Sequence, residues 1–500
     1  MSEKIKIIVN GEVRSADAGS LLSQIIDGEM PCGGHGRCGK CRVIAKGNLS
    51  SPTEAELGHL SPEELAGGTR LSCMTRALGD CEVTTREAEK TQILTDTDLP
   101  AFTVKPTFES YGVAIDIGTT TVAARLYDGT GKPLADATRL NPQQKWGADV
   151  VSRIEASLRG DAAELAAAVR HSLDGIIREL ASAAKIGTDR IDGVVITGNT
   201  VMLSLLCGES VLPFSAAPFE AKRLFGEDIP ARELGITCLN GELPVYLAPC
   251  ISAFVGADVV CAAVSTRLCS GDTAMLADIG TNGEIALWNG GGLTVCSTAA
   301  GPAFEGVGIS MGMRGDSGAI DRVRAENGKL IFHTINGKEP IGICGSGLVD
   351  AIACMLEIGA LDEGGYLEDD RFVIGGAVCL CPQDIRMFQL AKSAIYAGIA
   401  SLIKEGGIRT DEVHALYIAG GFGSYLDHGN AVRVGLIPRE LGRVTRAVGN
   451  AALAGASMLL LSAEERRGAE ALAKSAEVLD LSTNPTFSGL FFAGMSLEPM

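Results

Sequence analysis

Four cysteines near the N-terminus have the spacing and the neighbours of an iron–sulfur ligand set. Three of them follow one another as C-x5-C-x2-C with glycines between them, and the fourth lies in the stretch Leu71-Ser72-Cys73-Met74. Glycine lets backbone N–H groups approach and hydrogen-bond sulfide, and four thiolates can hold two irons. The loop is one residue longer than the C-x4-C-x2-C of plant-type ferredoxins. The pattern predicts a [2Fe–2S] cluster whose metal ligands are Cys32, Cys38, Cys41 and Cys73.

Two other readings of these thiols are a zinc site and a set of unconnected cysteines. Zinc sites usually use paired C-x2-C knuckles, and only one such pair is present here. Cys81 follows on a predicted strand, where a buried free thiol is expected rather than a fifth ligand. His35 lies inside the loop and is expected to be exposed, because four cysteines already suffice.

A second kind of chemistry is indicated by a short hairpin that occurs twice. Residues 111–127 read YGVAIDIGTTTVAARLY, and residues 275–287 read MLADIGTNGEIAL. In each copy an apolar strand breaks at D-I-G-T, where a glycine admits an anion to the backbone N–H groups and hydroxyls add donors. Asp116 and Asp278 are the predicted catalytic carboxylates, each able to hold Mg²⁺ through its waters. The predicted phosphate-binding residues are Gly118, Thr119, Thr120, Thr121, Gly280, Thr281, Asn282 and Gly283.

A third glycine-rich tip follows a buried strand near the end of the chain. It reads Gly420-Gly421-Phe422-Gly423, and bare backbone between a strand and a helix can accept a flat adenine and its ribose. A single D-I-G-T hairpin could be an ordinary turn. Two copies at equivalent places, together with this third tip, predict nucleotide binding.

The elements around these motifs predict two different kinds of domain. Residues 4–14 form a hairpin with Asn10-Gly11 at a type I′ turn, and strands 42–44 and 81–85 complete a small β-grasp-like sheet. After Tyr111, apolar strands alternate with long amphipathic helices, as in an α/β domain. The fold class is therefore α+β and α/β. The predicted divisions are a ferredoxin-like domain at 1–88, a linker at 89–110, and a nucleotide-binding domain at 111–500 with halves at about 111–270 and 271–485.

Composition excludes several functions. The net charge of the 500-residue chain is −18, which disfavours nucleic-acid binding because phosphate backbones need basic patches. A solvated acidic surface explains the negative charge, and the more specific alternative is that the acidic surface binds a basic protein partner. No signal peptide and no apolar run of roughly 18 residues is recognised, so no membrane association and a cytoplasmic location are expected. The 15 cysteines are then thiols or metal ligands rather than disulfides.

The paired DIGTT and DIGTN motifs with the later GGFG resemble those of the acetate and sugar kinase/Hsp70/actin (ASKHA) superfamily. That resemblance implies ATP bound between two ribonuclease H-like halves over about residues 111–481. With the N-terminal cluster domain added, the whole chain resembles the reductive activators of corrinoid proteins. The supporting stretches are 141–154, 198–203, 299–314, 342–350, 419–427 and 494–497.

The resemblance implies that the protein uses ATP and one electron from a [2Fe–2S] cluster to return Co(II) to Co(I) in a corrinoid protein of a methyltransferase system. A plant-type cluster has a potential near about −400 mV. The cobalt couple is lower, and every 59 mV uphill costs about tenfold in a one-electron equilibrium. Coupling to ATP, a ligand change at cobalt, or trapping by methylation is therefore required. A low-potential electron donor is implied, and a homodimer is left open.

Three rival functions belong to other classes. A small-molecule kinase with a fused ferredoxin would have an ATPase activity stimulated only by its substrate. An activator of a radical dehydratase is the second rival, but that group holds a [4Fe–4S] cluster at a dimer interface rather than an N-terminal [2Fe–2S] domain, so the order of the cysteines argues against it. An Hsp70-type sensor or chaperone leaves the ferredoxin domain without a role. The glycine-dense stretch 299–318 is the candidate for part of a nucleotide or partner surface.

Overall fold

The structure is a computed structural model, and it describes residues 4–26, 30–85 and 99–500. The first ten residues of the predicted linker, and the end of the predicted ferredoxin-like domain, lie outside these ranges. Among the described helices, none has both the length and the apolar character needed to cross a bilayer.

The N-terminal domain is one five-stranded sheet with two short helices. Its elements are β1 (Lys4–Val9), β2 (Glu12–Asp17), β3 (Arg42–Leu49), α1 (Glu54–His59), α2 (Pro62–Ala66), β4 (Thr69–Leu71) and β5 (Ala77–Thr84). The strand order is β2-β1-β5-β3-β4, with β1 and β5 parallel and the other pairs antiparallel. Asn10 and Gly11 both have positive φ, as a type I′ turn requires. The β-grasp-like prediction is confirmed.

The larger part contains two six-stranded sheets. The first sheet and its helices are β6 (Tyr111–Ile117), β7 (Thr121–Asp128), β8 (Pro133–Leu140), α3 (Val150–Ala156), α4 (Ala162–Ala183), β9 (Ile191–Gly198), α5 (Thr200–Cys207), β10 (Glu227–Pro230), β11 (Pro244–Leu247) and α6 (Ala257–Ser265). The remaining elements are β12 (Ala274–Ile279), β13 (Gly283–Trp288), β14 (Leu293–Thr298), β15 (Ala319–Glu326), β16 (Lys329–Thr334), β17 (Gly342–Ile343), α7 (Gly345–Glu357), β18 (Phe372–Gly375), β19 (Val378–Leu380), α8 (Pro382–Glu405), β20 (Ala415–Ala419), α9 (His428–Arg433), β21 (Thr445–Gly449), α10 (Ala451–Leu461), α11 (Ala463–Ser475), β22 (Glu477–Val478) and α12 (Pro485–Ala493).

The two six-stranded sheets repeat one topology. The first has the order β10-β11-β9-β6-β7-β8 and the second the order β21-β20-β12-β13-β14-β22. In each, a three-stranded antiparallel meander begins at the D-I-G-T hairpin, and a later strand pairs in parallel with its first strand. The duplicated motif in the sequence therefore reflects a duplicated fold, and the predicted α/β architecture is confirmed.

Helix α10 is a late element that belongs to the core of the first sheet. All eleven of its residues are buried, and seven of them belong to the same apolar cluster as β6, β9 and α6. Gly455 lies against the Cys261 carbonyl of α6 with no room for a Cβ atom. The second sheet has its own core, built mainly around α7 and α8.

The described end of the predicted linker is fixed to the larger part. The N–H groups of Lys105 and Thr107 donate to the carbonyls of Leu461 and Leu460, at 2.8 and 3.1 Å. Phe108 is buried against Gly112 and Gly193, where a side chain at either glycine would collide with its ring. The described residues of the predicted linker are therefore packed on the larger part.

Candidate functional site

The four predicted cluster ligands lie together as two pairs of thiols. The Cys41 and Cys73 sulfurs are 3.1 Å apart, and the side chains of Cys32 and Cys38 are near enough to shift each other's pKa. Within the described residues, no three histidine, cysteine, aspartate or glutamate side chains are arranged around one metal ion. Two pairs of thiolates match the needs of two bridged irons, each taking two protein ligands.

The backbone of the loop is shaped to surround sulfur with N–H donors. Gly33, Gly34, Gly36 and Gly39 all have φ between 62° and 82°, a region that disfavours other residues. The pKa of the Cys32 thiol is lowered, first by the hydrogen bond with Cys38 and then by backbone N–H groups of the loop. Such donors stabilise thiolate, which is the form that binds iron. As predicted, His35 is exposed and Cys81 is a buried free thiol in the sheet's core.

A buried ion pair holds the fourth cysteine in place. Glu56 is fully buried, and its carboxylate accepts from Arg70 Nε at 2.8 Å and Nη2 at 3.1 Å, from the Leu71 N–H at 3.2 Å and from the Thr75 hydroxyl at 2.9 Å. These donors flank Cys73 on both sides. Burial alone would raise the pKa of Glu56, but the hydrogen bonds from Arg70 and from backbone N–H groups lower it to about 2.

Glu56→Gln is expected to destabilise the cluster-binding domain by about 3 kcal/mol, because it leaves Arg70 buried without its counter-charge. The pKa of Glu56 in the folded protein, about 2, lies below its ordinary value of 4.5. The ionised carboxylate therefore makes its full contribution to the free energy of unfolding above pH 4.5, and this contribution is lost as the pH falls towards 2. Denaturant unfolding of the cluster-loaded protein at pH 7, followed by the visible cluster bands, measures the first effect. Unfolding followed by circular dichroism as the pH falls from 4.5 towards 2, where an acid-labile cluster no longer gives those bands, measures the second. Glu54→Gln on the same helix is the matched exposed control. Equal midpoints for the two variants would contradict this role.

The two D-I-G-T hairpins, which are predicted to bind phosphate, occupy equivalent positions in their sheets. In the first, β6 ends at Ile117 and β7 begins at Thr121, so the turn comprises residues 118–120; in the second, Ile279 pairs with Gly283, leaving 280–282 as the turn. Asp116 and Asp278 are each the penultimate residue of their strands. The register therefore places both predicted carboxylates at matching places facing the region between the sheets, where the charge of one acts on the other.

The segment 141–153 holds the tip of the first hairpin from behind. Asn141 Nδ2 donates to the Gly118 carbonyl at 2.8 Å, and Gln144 Nε2 donates to the Thr120 carbonyl at 2.6 Å. The fully buried guanidinium of Arg153 donates to the Thr119 carbonyl between them. In a trans peptide the N–H points opposite to the C=O. The N–H groups of Thr119 and Thr120 are therefore directed away from this scaffold, where an anion can accept from them.

A cluster of carboxylates lies beside the hairpins. Burial raises the pKa of Asp116 to about 7, against a hydrogen bond from Asn450 Nδ2 at 3.0 Å, and it raises the pKa of Asp278 to about 6 with help from the charge of Glu305. Burial and the neighbouring charges also raise the pKa of Asp258 and of Glu284. Desolvated carboxylates that repel one another are relieved by a cation. This group of buried carboxylates is therefore suited to a hydrated Mg²⁺.

Glu305 joins the two hairpins directly. Its Oε2 accepts from the Thr120 hydroxyl at 2.7 Å, and its Oε1 accepts from the Thr281 hydroxyl at 3.0 Å. One predicted phosphate-binding threonine from each sheet is thus bound to the same carboxylate. A phosphate would use the same donors.

The third predicted motif lies against the second hairpin. Gly420 has φ 89°, and a Cβ atom there would be 3.0 Å from Asp278 Oδ1. Gly421 is exposed with open space around its α-carbon, as contact with a nucleotide base would require. Phe422, in contrast, stacks on Phe304 at a centroid distance of 4.6 Å, so its ring supports the tip from below. Gly423 packs tightly on Ile418.

The cluster loop lies on both halves of the nucleotide-binding part. On the first half, the Ala148 N–H donates to the Pro31 carbonyl at 3.0 Å, and His35 is 3.3 Å from Arg159. On the second half, Lys40 Nζ donates to the carbonyls of the segment 309–312. The loop that carries the predicted cluster ligands therefore contacts segments that neighbour both predicted phosphate-binding hairpins.

Sequence reasoning missed several of these residues. Asp258, Asn450 and Glu305 reach the site from distant parts of the chain, and Lys40 was not singled out within the loop. Asn450 could have been found, since Gly-Asn between a strand and an apolar helix marks a helix start, and Asn450 accepts from the Leu453 N–H at 2.8 Å. Glu305 lies in the glycine-dense stretch that was proposed as a nucleotide or partner surface.

The duplicated fold, the paired hairpins and the thiol loop define a class of protein: a two-halved ASKHA ATPase with a fused ferredoxin-like domain. Residues 272–500 match the family model described as the C-terminal, ASKHA domain of RACo, and residues 111–270 match the model of the RACo middle region. The chain belongs to the family of reductive activators of corrinoid proteins. The family and fold predicted from the sequence are thus confirmed.

Individual relatives agree with this assignment. The chain is 35% identical over 413 residues to the corrinoid activation enzyme RamQ of Eubacterium limosum, covering 75% of this chain and 68% of that protein. It is 25% identical over 420 residues to a Co(II) methylated-amine-specific corrinoid protein reductase of Methanosarcina barkeri, covering 77% of each. A solved reductive activator for a corrinoid, iron–sulfur protein aligns with a TM-score of 0.70 and 27% identity over 99% of this chain and 98% of that one.

Proposed function

We propose that this protein uses ATP to transfer one electron from a [2Fe–2S] cluster to the Co(II) of a corrinoid protein, returning it to Co(I). The observation that carries the proposal is the docking of the thiol loop on both halves of the nucleotide-binding part, because the coupling needs the two sites to sense each other. Relatives named as corrinoid activation enzymes and reductases support the same reaction.

The cluster, when bound, supplies single electrons. Its proposed ligands are Cys32 with Cys38 and Cys41 with Cys73, and the paired arrangement of the thiols favours two irons over one zinc. The loop amides stabilise the thiolates, and Glu56 fixes the position of Cys73. The ferredoxin-like sheet that carries this loop is in line with an electron-carrying domain.

ATP is proposed to bind between the two sheets with its phosphates at the two hairpins. The donors are the backbone and side chains of Gly118, Thr119, Thr120 and Thr121, and of Gly280, Thr281, Asn282 and Gly283. Asp116 and Asp278 are the proposed catalytic groups and orient the waters of Mg²⁺, whose charge offsets their mutual repulsion. Gly420 and Gly421 give room for the base and ribose, with Phe422 and Gly423 shaping that tip. Closure of the halves around the nucleotide is the conformational change that couples hydrolysis to the cluster domain.

The remaining participants follow from the chemistry. Each electron that the iron–sulfur cluster gives to cobalt must be replaced, so a low-potential donor has to reduce the cluster again. A cytoplasmic location suits the fifteen cysteines, none of which forms a disulfide. A homodimer stays a prediction.

The direct test is anaerobic reduction of a corrinoid protein loaded with cob(II)alamin, using titanium(III) citrate as the reductant. We expect loss of the Co(II) electron paramagnetic resonance signal and growth of the Co(I) visible band only when this protein and MgATP are both present. Omitting the nucleotide is expected to lower the rate by about tenfold or more, since an uphill transfer then lacks its driving force.

Replacing MgATP by a non-hydrolysable analogue is the matched control for the use of hydrolysis. A Co(II) signal that persists with every corrinoid protein tested would reject the proposal. An ATPase activity stimulated only by a small molecule, with a phosphorylated product, would favour the kinase alternative.

A further inference from the structure

We propose that the segment 305–312 is a latch with two ends, which holds the cluster loop on the second half until nucleotide phosphates displace Glu305. The inference rests on the proposed function, because it assumes that ATP binds at the two hairpins. It assigns roles to Glu305 and Lys40 as positioning residues. Neither was among the site residues predicted from the sequence.

The first end of the latch is the carboxylate of Glu305. It accepts from the Thr120 hydroxyl at 2.7 Å and from the Thr281 hydroxyl at 3.0 Å, so it ties together the two hairpins that are proposed to bind phosphate. A phosphate oxygen needs the same two donors, and its negative charge is repelled by the carboxylate. Glu305 and a bound polyphosphate therefore exclude each other from this position.

The second end of the latch is a group of three carbonyls. Lys40 Nζ donates to Ile309 O at 2.9 Å, to Ser310 O at 3.1 Å and to Gly312 O at 2.9 Å. An ammonium group has three donors, so all of its hydrogen-bonding capacity is used here. Lys40 lies between Cys38 and Cys41, and its contacts are the polar link between the cluster loop and the second half. Asp384 supports the carbonyls from behind by accepting from the Ser310 N–H at 2.7 Å.

The two ends are joined by a close contact between two stretches of backbone, at Gly306 and Gly312. The chain turns at Gly306 and returns so that Gly306 and Gly312 are in direct contact. A Cβ atom at Gly306 would overlap the backbone of Gly312 and Met313, and one at Gly312 would overlap the Gly306 carbonyl. Glu305 directly precedes Gly306 in the chain, and the Gly312 carbonyl accepts a hydrogen bond from Lys40. A displacement of Glu305 is therefore passed to the Lys40 carbonyls through touching backbone rather than through flexible side chains.

The latch gives ATP a way to release the electron-transfer loop. Without nucleotide, Glu305 holds both hairpins and Lys40 holds the loop to the second half. When phosphates take the threonine hydroxyls, the segment moves and the three carbonyls no longer converge on Lys40. Linkage requires the reverse effect as well: weakening the Lys40 end must tighten nucleotide binding.

The test is to change one end and measure the other in the cluster-loaded protein. Glu305→Gln removes the charge at the nucleotide end, and Lys40→Met removes the ammonium at the cluster end. Hydrogen exchange of the backbone amides in 30–41 reports the loop, and calorimetric titration with a non-hydrolysable ATP analogue and Mg²⁺ reports the nucleotide site. Lys46→Met, at an exposed lysine of β3, is the matched control.

We expect the analogue to raise the exchange rate in 30–41 by about 5-fold or more, and Glu305→Gln to do so without nucleotide. Lys40→Met should tighten analogue binding by about 5-fold relative to Lys46→Met, and the double variant should gain less than the product of the single changes. If the analogue binds but the exchange in 30–41 stays constant and Lys40→Met binds like Lys46→Met, the latch is wrong and the proposed function survives. If no variant binds the analogue, the latch and the proposed function both fall.

Discussion

Asp278→Asn is expected to lower ATP-dependent Co(I) formation by about 10²-fold or more while leaving the cluster intact. The carboxylate is the proposed second anchor for the waters of Mg²⁺, and loss of one preorganised electrostatic group typically costs about 10²–10³-fold in rate. Asparagine has nearly the same shape, so the close contact between Gly420 and this side chain is kept. The measurement is the rate of Co(I) formation, with the visible cluster spectrum as a check.

The same substitution is expected to make the protein more stable near pH 7. Burial, with the charge of Glu305, raises the folded pKa of Asp278 to about 6 from 3.8. Because the folded pKa is the higher of the two, the carboxylate destabilises the fold once pH exceeds the unfolded value, and removing it relieves that cost. A more stable but inactive variant would separate a functional role from damage to the fold. Asp272→Asn, at an exposed aspartate just before β12, is the matched control, and equal activity of both variants would reject the ATP-site assignment.

Cys41→Ala is expected to abolish the [2Fe–2S] cluster. Cys41 is half of the pair with Cys73, and the iron that they hold would retain a single protein thiolate. The as-isolated wild type should contain about two irons per chain and show the visible bands of an oxidised [2Fe–2S] centre. The variant should lose those bands and its Co(II) reduction, while ATP-analogue binding persists.

Cys81→Ala is the control for this experiment, because Cys81 is a buried thiol of the same domain that lies in the core of the sheet. It should keep both the iron and the bands. Zinc instead of iron in the wild type, or bands that survive in Cys41→Ala, would reject the assignment of the ligands.

The two predicted sites were readable from the sequence for a physical reason. Three of the four predicted cluster ligands come from one short loop, and a phosphate-binding hairpin needs glycine at a tight turn, so both predictions rest on local patterns. The hairpin at Asn10-Gly11 and the strand at 415–419 were likewise determined by neighbours in the chain. The spacing of residues along the chain was therefore sufficient to predict features whose residues are close together in the sequence.

The contacts between the sites left no such pattern. Glu305 and Thr120 are 185 residues apart, and Asn450 and Asp116 are 334 apart. The first pair exists because the two sheets face each other, and the second because α10 packs against the first sheet. The Lys40 contact depends on how the N-terminal domain lies on the second half, which no local spacing encodes. The parts that sequence reasoning could not supply are therefore those that connect one site to another.

The placement of α10 has a consequence for how the protein is made. This wholly buried helix fills the core of the first sheet, yet it comes from the last tenth of the chain. During synthesis, the ribosome must release residues 451–461 before the earlier half can seal its interior. Until α10 has emerged, the nascent chain therefore exposes the apolar surface that this helix covers in the folded protein. A chaperone has a long interval in which to bind that surface.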